Sequence, residues 1–262
     1  MNLRTLQDAL ADLPINEIHF FHSIGSTNDV AAAWLANGAP DSALVVSDEQ
    51  TAGRGRSGRQ WYTPPQAALA FSLVLRFDEV SNIGGHLARL AGLGGLAVCD
   101  ALYMDYKLPA QIKWPNDVLV GRRKIAGVLV EARWQGQHLE GFILGIGVNV
   151  LSQSTTPPAE LAFPATCVEL EAGKSIDRTT LLHAILLHLL KRRRSLGSDQ
   201  FMQSWQQYLA FKDEPVQVIY PERVVEGLLS GLNDDGSLRL VTADGELESI
   251  YAGEVRLRPK PG

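Results

Sequence analysis

Apolar residues recur along this chain in two rhythms, and each change of rhythm marks an element. "ALVVSD" (Ala43 to Asp48) and "ALAFSLVLRF" (Ala68 to Phe77) are short runs of strand formers. "LARLAGLGGLAVCDALYM" (Leu87 to Met104) is apolar nearly all round and reads as a buried helix. "QIKWPNDVLVGRRKIAGVLVEARW" reads as strand, turn and a hairpin closing around Gly121. In "GFILGIGVNV" strict alternation places Phe142, Leu144, Ile146, Val148 and Val150 on a core face. Ile143, Gly145, Gly147 and Asn149 fall on the opposite face, which is largely bare backbone. Helical spacing returns from about Thr179 to Leu196 and from about Gln200 to Ala210. Earlier, "VAAAWLANG" predicts a helix with Ser26 or Thr27 as N-cap and Gly38 as terminator.

After about Lys212 the texture changes. "PVQVIY", "VVEGLLSGL", "SLRLVT" and "ELESIYAG" are short strands separated by "NDDG" and "ADGE", the turn chemistry of a small β-barrel. The expected organisation is therefore α+β: a main domain over 1–211 with a mixed sheet and helices, then a small barrel over 212–262.

The bulk numbers narrow the function classes. Hydrophobic content of 45% and charged content of 20% are those of a globular protein. The most apolar run is interrupted by Arg89 and Asp100, so no membrane partner is expected. Only two cysteines, Cys99 and Cys167, occur; a reducing cytoplasm is the expected location, with no protein-held metal. The net charge of −5 argues against a general nucleic-acid binder, so no DNA partner is expected. Basic chemistry must be local. "KRRR" (Lys191 to Arg194) ends a helix, where the macrodipole favours cations.

The other basic cluster is "QTAGRGRSGRQWYTPP". Gly53, Gly55 and Gly58 spell G-x-G-x-x-G, but a dinucleotide loop needs a helix directly after it. Pro64 and Pro65 and a following strand exclude that helix, although Asp78 stands near the distance of a ribose-binding acid. The expectation is strand, long loop, strand: a flexible arm carrying Arg54, Arg56 and Arg59. In "KWPND" a Pro-Asn turn sets Lys113 and Asp117 at its shoulders, and Lys124 begins the returning strand ahead of Gly127. A surface hairpin with solvated lysines is the plain alternative. For "GSTND", helix capping competes with the gripping of a polar head group by exposed hydroxyls.

Taken in order, "STND", "QTAGRGRSGRQW", "KWPND", "RRKIAGVLVE" and "GIGVNV" resemble the biotin protein ligases. The resemblance runs from about residue 20 to the C-terminus and implies a class II synthetase-like catalytic domain with an SH3-like barrel. It implies an enzyme that joins biotin and ATP into biotinyl-5′-AMP, with Mg2+, and passes biotin to a lysine of a biotin carboxyl carrier protein. About 25 residues precede Ser26, too few for the winged helix-turn-helix of the repressing members, so a monofunctional ligase is expected. Family members often pair through the main sheet, which leaves a homodimer open.

By the same resemblance, Lys124, Arg56 and Lys113 are catalytic. Ser26, Thr27, Asn28, Gln50, Gly53, Arg54, Arg56, Lys124 and Gly127 surround biotin. Arg56, Arg59, Trp61, Lys113, Asn116, Asp117 and Asn149 lie on the ATP side. Trp114 is either a nucleotide-side aromatic or core. The rivals are a lipoate protein ligase of the same fold and a nucleic-acid-binding protein using the arginine loop.

Overall fold

The computed structural model describes residues 1–77, 83–155, 164–220, 223–251 and 256–259. Asp78 lies outside the described residues. A seven-stranded sheet dominates. Its strands are β1 (Glu17–Phe21), β2 (Ala43–Ser47), β3 (Ala68–Leu75), β4 (Ala110–Lys113), β5 (Asp117–Val120), β6 (Arg123–Gln135) and β7 (His138–Asn149). They stand in the order β1-β2-β3-β7-β6-β5-β4. Only β1 and β2 are parallel; the rest pair antiparallel.

The two faces of this sheet differ. One carries the main core, where Phe142, Leu144, Ile146, Val148 and Val150 pack with Leu90, Leu93, Leu96 and Leu186. Those leucines come from α3 (Ile83–Tyr106) and α5 (Arg178–Arg193). The Leu87–Tyr106 stretch of α3 is long and apolar enough to cross a membrane, yet 78% of it is buried inside the protein. Its glycines are there for packing: a Cβ at Gly92 would stand 2.7 Å from Trp205, and one at Gly94 2.8 Å from Val128. On the other face the helix among the described residues is α2 (Thr27–Ala36), whose Ala31 and Leu35 meet Val45, Val74 and Ile143. That sparsely covered face holds the site.

The alternation in β7, the hairpin at Gly121 and the helices α5 and α6 (Asp199–Gln207) follow the sequence pattern. Two helices do not: α1 (Leu3–Ala9), with Asn2 and Thr5 closing a capping box, and the short α4 (Val168–Ala172). The basic end of α5 is more than a solvated terminus. Arg192 binds the buried Asp100 of α3, and Arg193 binds Asp41 at 2.7 Å. Tyr208 also donates to Asp100, at 3.0 Å, and burial together with that carboxylate pushes its hydroxyl up to about 12.

The second sheet has five antiparallel strands, β8 (Pro215–Ile219), β9 (Val224–Leu232), β10 (Leu238–Val241), β11 (Leu247–Ile250) and β12 (Arg256–Pro259), ordered β11-β10-β9-β8-β12. The first four match the expected strands; β12 had no distinct signal.

Candidate active site

One cross-strand row explains the site. The register aligns Ser47, Ala70, Gly147, Gly127, Asp117 and Lys113 as successive neighbours on the α2 side of the sheet. Directly opposed residues point to the same face. The middle of the row is therefore almost without side chains, and one end carries charge. Lys124 joins it through a β-bulge: the register shifts between Val118 and Leu119, so Ile125 and Ala126 both enter the core. Lys124 is thereby returned to the same side as Gly127. Its Nζ lies 2.6 Å from Asp117 Oδ1, and Lys113 Nζ lies 3.9 Å from Asp117 Oδ2. The lysines are thus neither solvated nor isolated, as a plain surface hairpin would leave them; Asp117 joins them.

The backbone of Lys124 is held from the side. Its N–H donates to the Pro164 carbonyl at 2.7 Å, and its own carbonyl accepts from Thr166 at 2.9 Å. Thr166 also accepts from Asn149 Nδ2 at 3.0 Å, and its hydroxyl bonds Glu171, which pairs with Arg123 at 2.7 Å. Residues 164–166 thus act as a strap behind Lys124 and Asn149.

The arginine segment is not a free arm. Trp61 N–H donates to Gly53 O at 2.9 Å and Gly55 N–H to Arg59 O at 2.7 Å, making a hairpin tab with a 3₁₀ turn at Arg56–Gly58. Gly53 is needed for proximity, since a Cβ there would run into the Trp61 carbonyl and the Gln50 side chain. The tab lies over the bare row. The Trp61 indole covers Gly147 and Gly127, with the Lys124 ammonium 5.3 Å from its ring centre, and its buried Nε1 has no hydrogen-bond partner among the described residues. Arg56 reaches Asn116 Oδ1 at 3.3 Å; burial pulls its guanidinium below the ordinary arginine value, against the pull of Asp117. Trp114 is elsewhere: it is buried in the core with Nε1 bonded to Gly236 O at 2.9 Å.

At the other end of the row, Ser26, Thr27 and Asn28 open α2. They are buried, not exposed, and the Ser26 side chain makes no cap bond. Gln50 takes over, accepting from Thr27 N–H at 2.8 Å and lying 3.1 Å from its hydroxyl, while its amide donates to Thr63 at 3.0 Å. Ser72 Oγ lies 2.8 Å from the Thr27 hydroxyl and 2.6 Å from Asn28 Oδ1. Three contacts share two hydroxyl protons, so one of the three always lacks a proton between its oxygens. An incoming N–H fits there. Ser72, Thr63, Thr166, Glu171 and Glu131 escaped the sequence reading. Only Glu131 left a trace, at the third alternate position of β6 after Gly127 and Leu129.

A mostly antiparallel sheet with a bare, cation-ended strip under a glycine-arginine tab suits an adenylating ligase, and residues 20–149 match the biotin/lipoate A/B protein ligase family. Residues 213–258 match the biotin protein ligase C-terminal domain, and the SH3-like assignment of the second sheet rests on this. The chain is 34% identical over 238 residues to the biotin--[acetyl-CoA-carboxylase] ligase of Paracoccus denitrificans, covering 88% of this chain and 96% of that protein. It is 33% identical over 237 residues to the bifunctional ligase/repressor BirA of Bacillus spizizenii, covering 89% of this chain and 72% of that protein. The biotin protein ligase of Aquifex aeolicus, solved in complex with biotin and ATP, superposes with a TM-score of 0.80 at 28% identity, over 94% of this chain and all of that one. The chain belongs to the biotin protein ligase family.

Proposed function

We propose that this chain joins biotin to ATP as biotinyl-5′-AMP, releasing pyrophosphate, and transfers the biotinyl group to a lysine of an acceptor protein. The observation that carries the reading is Lys124, brought by a bulge to the end of a side-chain-free strip beneath Trp61. The biotin carboxylate attacks the α-phosphate of ATP, so two anions meet and negative charge gathers on the phosphoryl oxygens. A fixed ammonium stabilises that charge more in the transition state than in the separated reactants, and this is the role assigned to Lys124, with Arg56 and Lys113 beside it. In the second step the acceptor amine attacks the mixed anhydride, forming the amide and releasing AMP.

Within this reading Ser26, Thr27, Asn28 and Gln50 receive the ureido head, whose N–H can donate to an oxygen of the contact left without a proton. Gly127 and Gly147 keep the row flat, so that the bicycle can lie there when the Trp61 indole moves off it. Arg59, Trp61, Asn116, Asp117 and Asn149 border the nucleotide. Magnesium enters as the metal of the ATP substrate, held largely by phosphate oxygens and water. The acceptor is a biotin carboxyl carrier protein. The boundary between catalytic and barrel domains falls at residues 211/212; it is supported by Ala210 N–H donating to Ile112 O in the first sheet while Pro215 opens the second.

Biotin-dependent exchange of labelled pyrophosphate into ATP tests the reading directly. It is expected with biotin and absent with lipoate. Lys124→Ala should lower the exchange rate by about 10²- to 10³-fold, the usual loss for one group that stabilises transition-state charge. Exchange at the wild-type rate in that variant would remove Lys124 from the chemistry.

A further inference from the structure

Glu131 has no place in the reaction as described, yet it joins the start of α2 to the tab. It stands on β6 facing α2 and the tab. Its Oε2 accepts from Asn28 Nδ2 at 2.6 Å, and its two oxygens receive Arg54 Nη1 and Nη2, both at 2.7 Å. Arg54 Nη2 also meets Asp29 of α2 at 2.7 Å. Hydrogen bonding to Glu131 holds the Arg54 guanidinium above its ordinary value. Arg54 is therefore a strut between the tab and the start of α2.

From Glu131 the polar contacts continue without a break. Asn28 meets Ser72, Ser72 meets Thr27, Thr27 meets Gln50, and Gln50 meets Thr63. Gln50 and Thr63 flank the base of the tab, where they pair across it, and Arg54 lies near the start of its outgoing arm. The chain of contacts thus begins on the tab, passes through the residues assigned to the head group, and returns to the tab. A ligand that hydrogen-bonds Asn28 or Thr27 changes a contact in a network that ends on the tab.

We infer that Glu131 is a positioning residue that couples occupation of the head-group end of the site to the seating of the 53–61 tab. The coupling needs a carboxylate, because Glu131 must accept from an amide and from both arms of a guanidinium at once. A glutamine there still accepts from Asn28 but turns an amide N–H₂ toward Arg54. This inference rests on the proposed reaction for its kinetic part and on the fold alone for the seating of the tab.

The tab contains three tryptic sites, Arg54, Arg56 and Arg59, so cleavage within 53–61 reports its seating. In Glu131→Gln, cleavage of the ligand-free protein is expected to rise about fivefold, the effect of a partly exposed but bidentate pair. In the pyrophosphate exchange assay the KM for biotin should rise by a similar factor, with kcat changed less than twofold. A residue serving stability alone would not split KM from kcat, and thermal unfolding of the variant monitors that stability. Unchanged tab cleavage in Glu131→Gln would overturn the coupling, as would a loss confined to kcat. Failure of the wild-type protein to exchange pyrophosphate would instead refute the proposed reaction, while the cleavage result would still decide whether Glu131 seats the tab.

Discussion

Gly147 makes the clearest case for function at the level of one residue. A strand interior disfavours glycine, and Gly147 gains nothing from a left-handed backbone. What it provides is room: Gly147, Gly127 and Ala70 leave the centre of the row flat, and the Trp61 indole fills the space where a Cβ would stand. Gly147→Ala is therefore expected to leave the main core intact, since that core lies on the other face of the sheet. The indole must shift instead, at a cost of about 1–3 kcal/mol, as for other overpacked sites. The biotin KM should rise by about tenfold, and Trp61 emission should move toward that of exposed indole, with Trp61→Phe as the spectral control. Unchanged emission and KM would mean that the flat row is not where ligand and indole meet. Gly53 serves a related need within the tab, letting the two arms of the hairpin cross closely.

Among the elements, β6 and the 164–166 strap do most to aim the chemistry. Beyond Ala126, which lies opposite Val148, β7 provides no further pairing for β6 on that side; the strap takes its place by bonding both backbone groups of Lys124. Thr166 is completely buried, and its hydroxyl ties the strap to Glu171. Thr166→Val keeps the shape but removes that hydrogen bond, worth about 1 kcal/mol. Adenylate formation should slow about fivefold at saturating substrates, and Thr166→Ser should restore it. Equal rates in the valine and serine variants would show that the backbone bonds suffice.

This element also shows what a sequence can and cannot disclose. Alternation in β7 foretold which face would be bare, and "KWPND" with Lys124 foretold the charged end, because both signals are local. Glu131 and Asn28 are 103 residues apart, Ser72 and Asn28 are 44 apart, and Thr166 reaches Lys124 from beyond β7. Such partners appear only when the fold is known. Burial of Ser26, Thr27 and Asn28 was hidden for the same reason: a cap motif reads as exposed until α2 is laid on the sheet. The tab looked like an arm because its glycines and arginines gave no strand signal, and its pairing comes from backbone bonds alone.

For the whole molecule, the question is how the C-terminal sheet affects a site on the other unit. The turn before β10 meets the main unit at several points. Gly236 O accepts from Trp114 Nε1 at 2.9 Å, and Asp234 O accepts from Arg89 Nη2, also at 2.9 Å. Gly236 has a φ of +82°, where glycine is favoured, and a Cβ there would press on Trp205 and Ala88. On the hairpin turn between β5 and β6, Arg122 meets Glu214 at 2.7 Å, but this pair is exposed and contributes little. The Trp114 bond matters more, because Trp114 lies between Lys113 and the Pro115-Asn116 turn that leads to Asp117. Trp114→Phe keeps much of the packing and leaves the Gly236 carbonyl buried without its donor, at a cost of about 1–3 kcal/mol. In a chain of this size each kcal/mol lowers Tm by about 2–4 °C. The expected result is one cooperative transition at lower temperature together with a raised KM for ATP, since the turn carrying Lys113 and Asn116 loses its backing. A lower Tm with an unchanged ATP KM would confine the contact to stability, and two separate transitions would show that the C-terminal sheet unfolds independently of the site it adjoins.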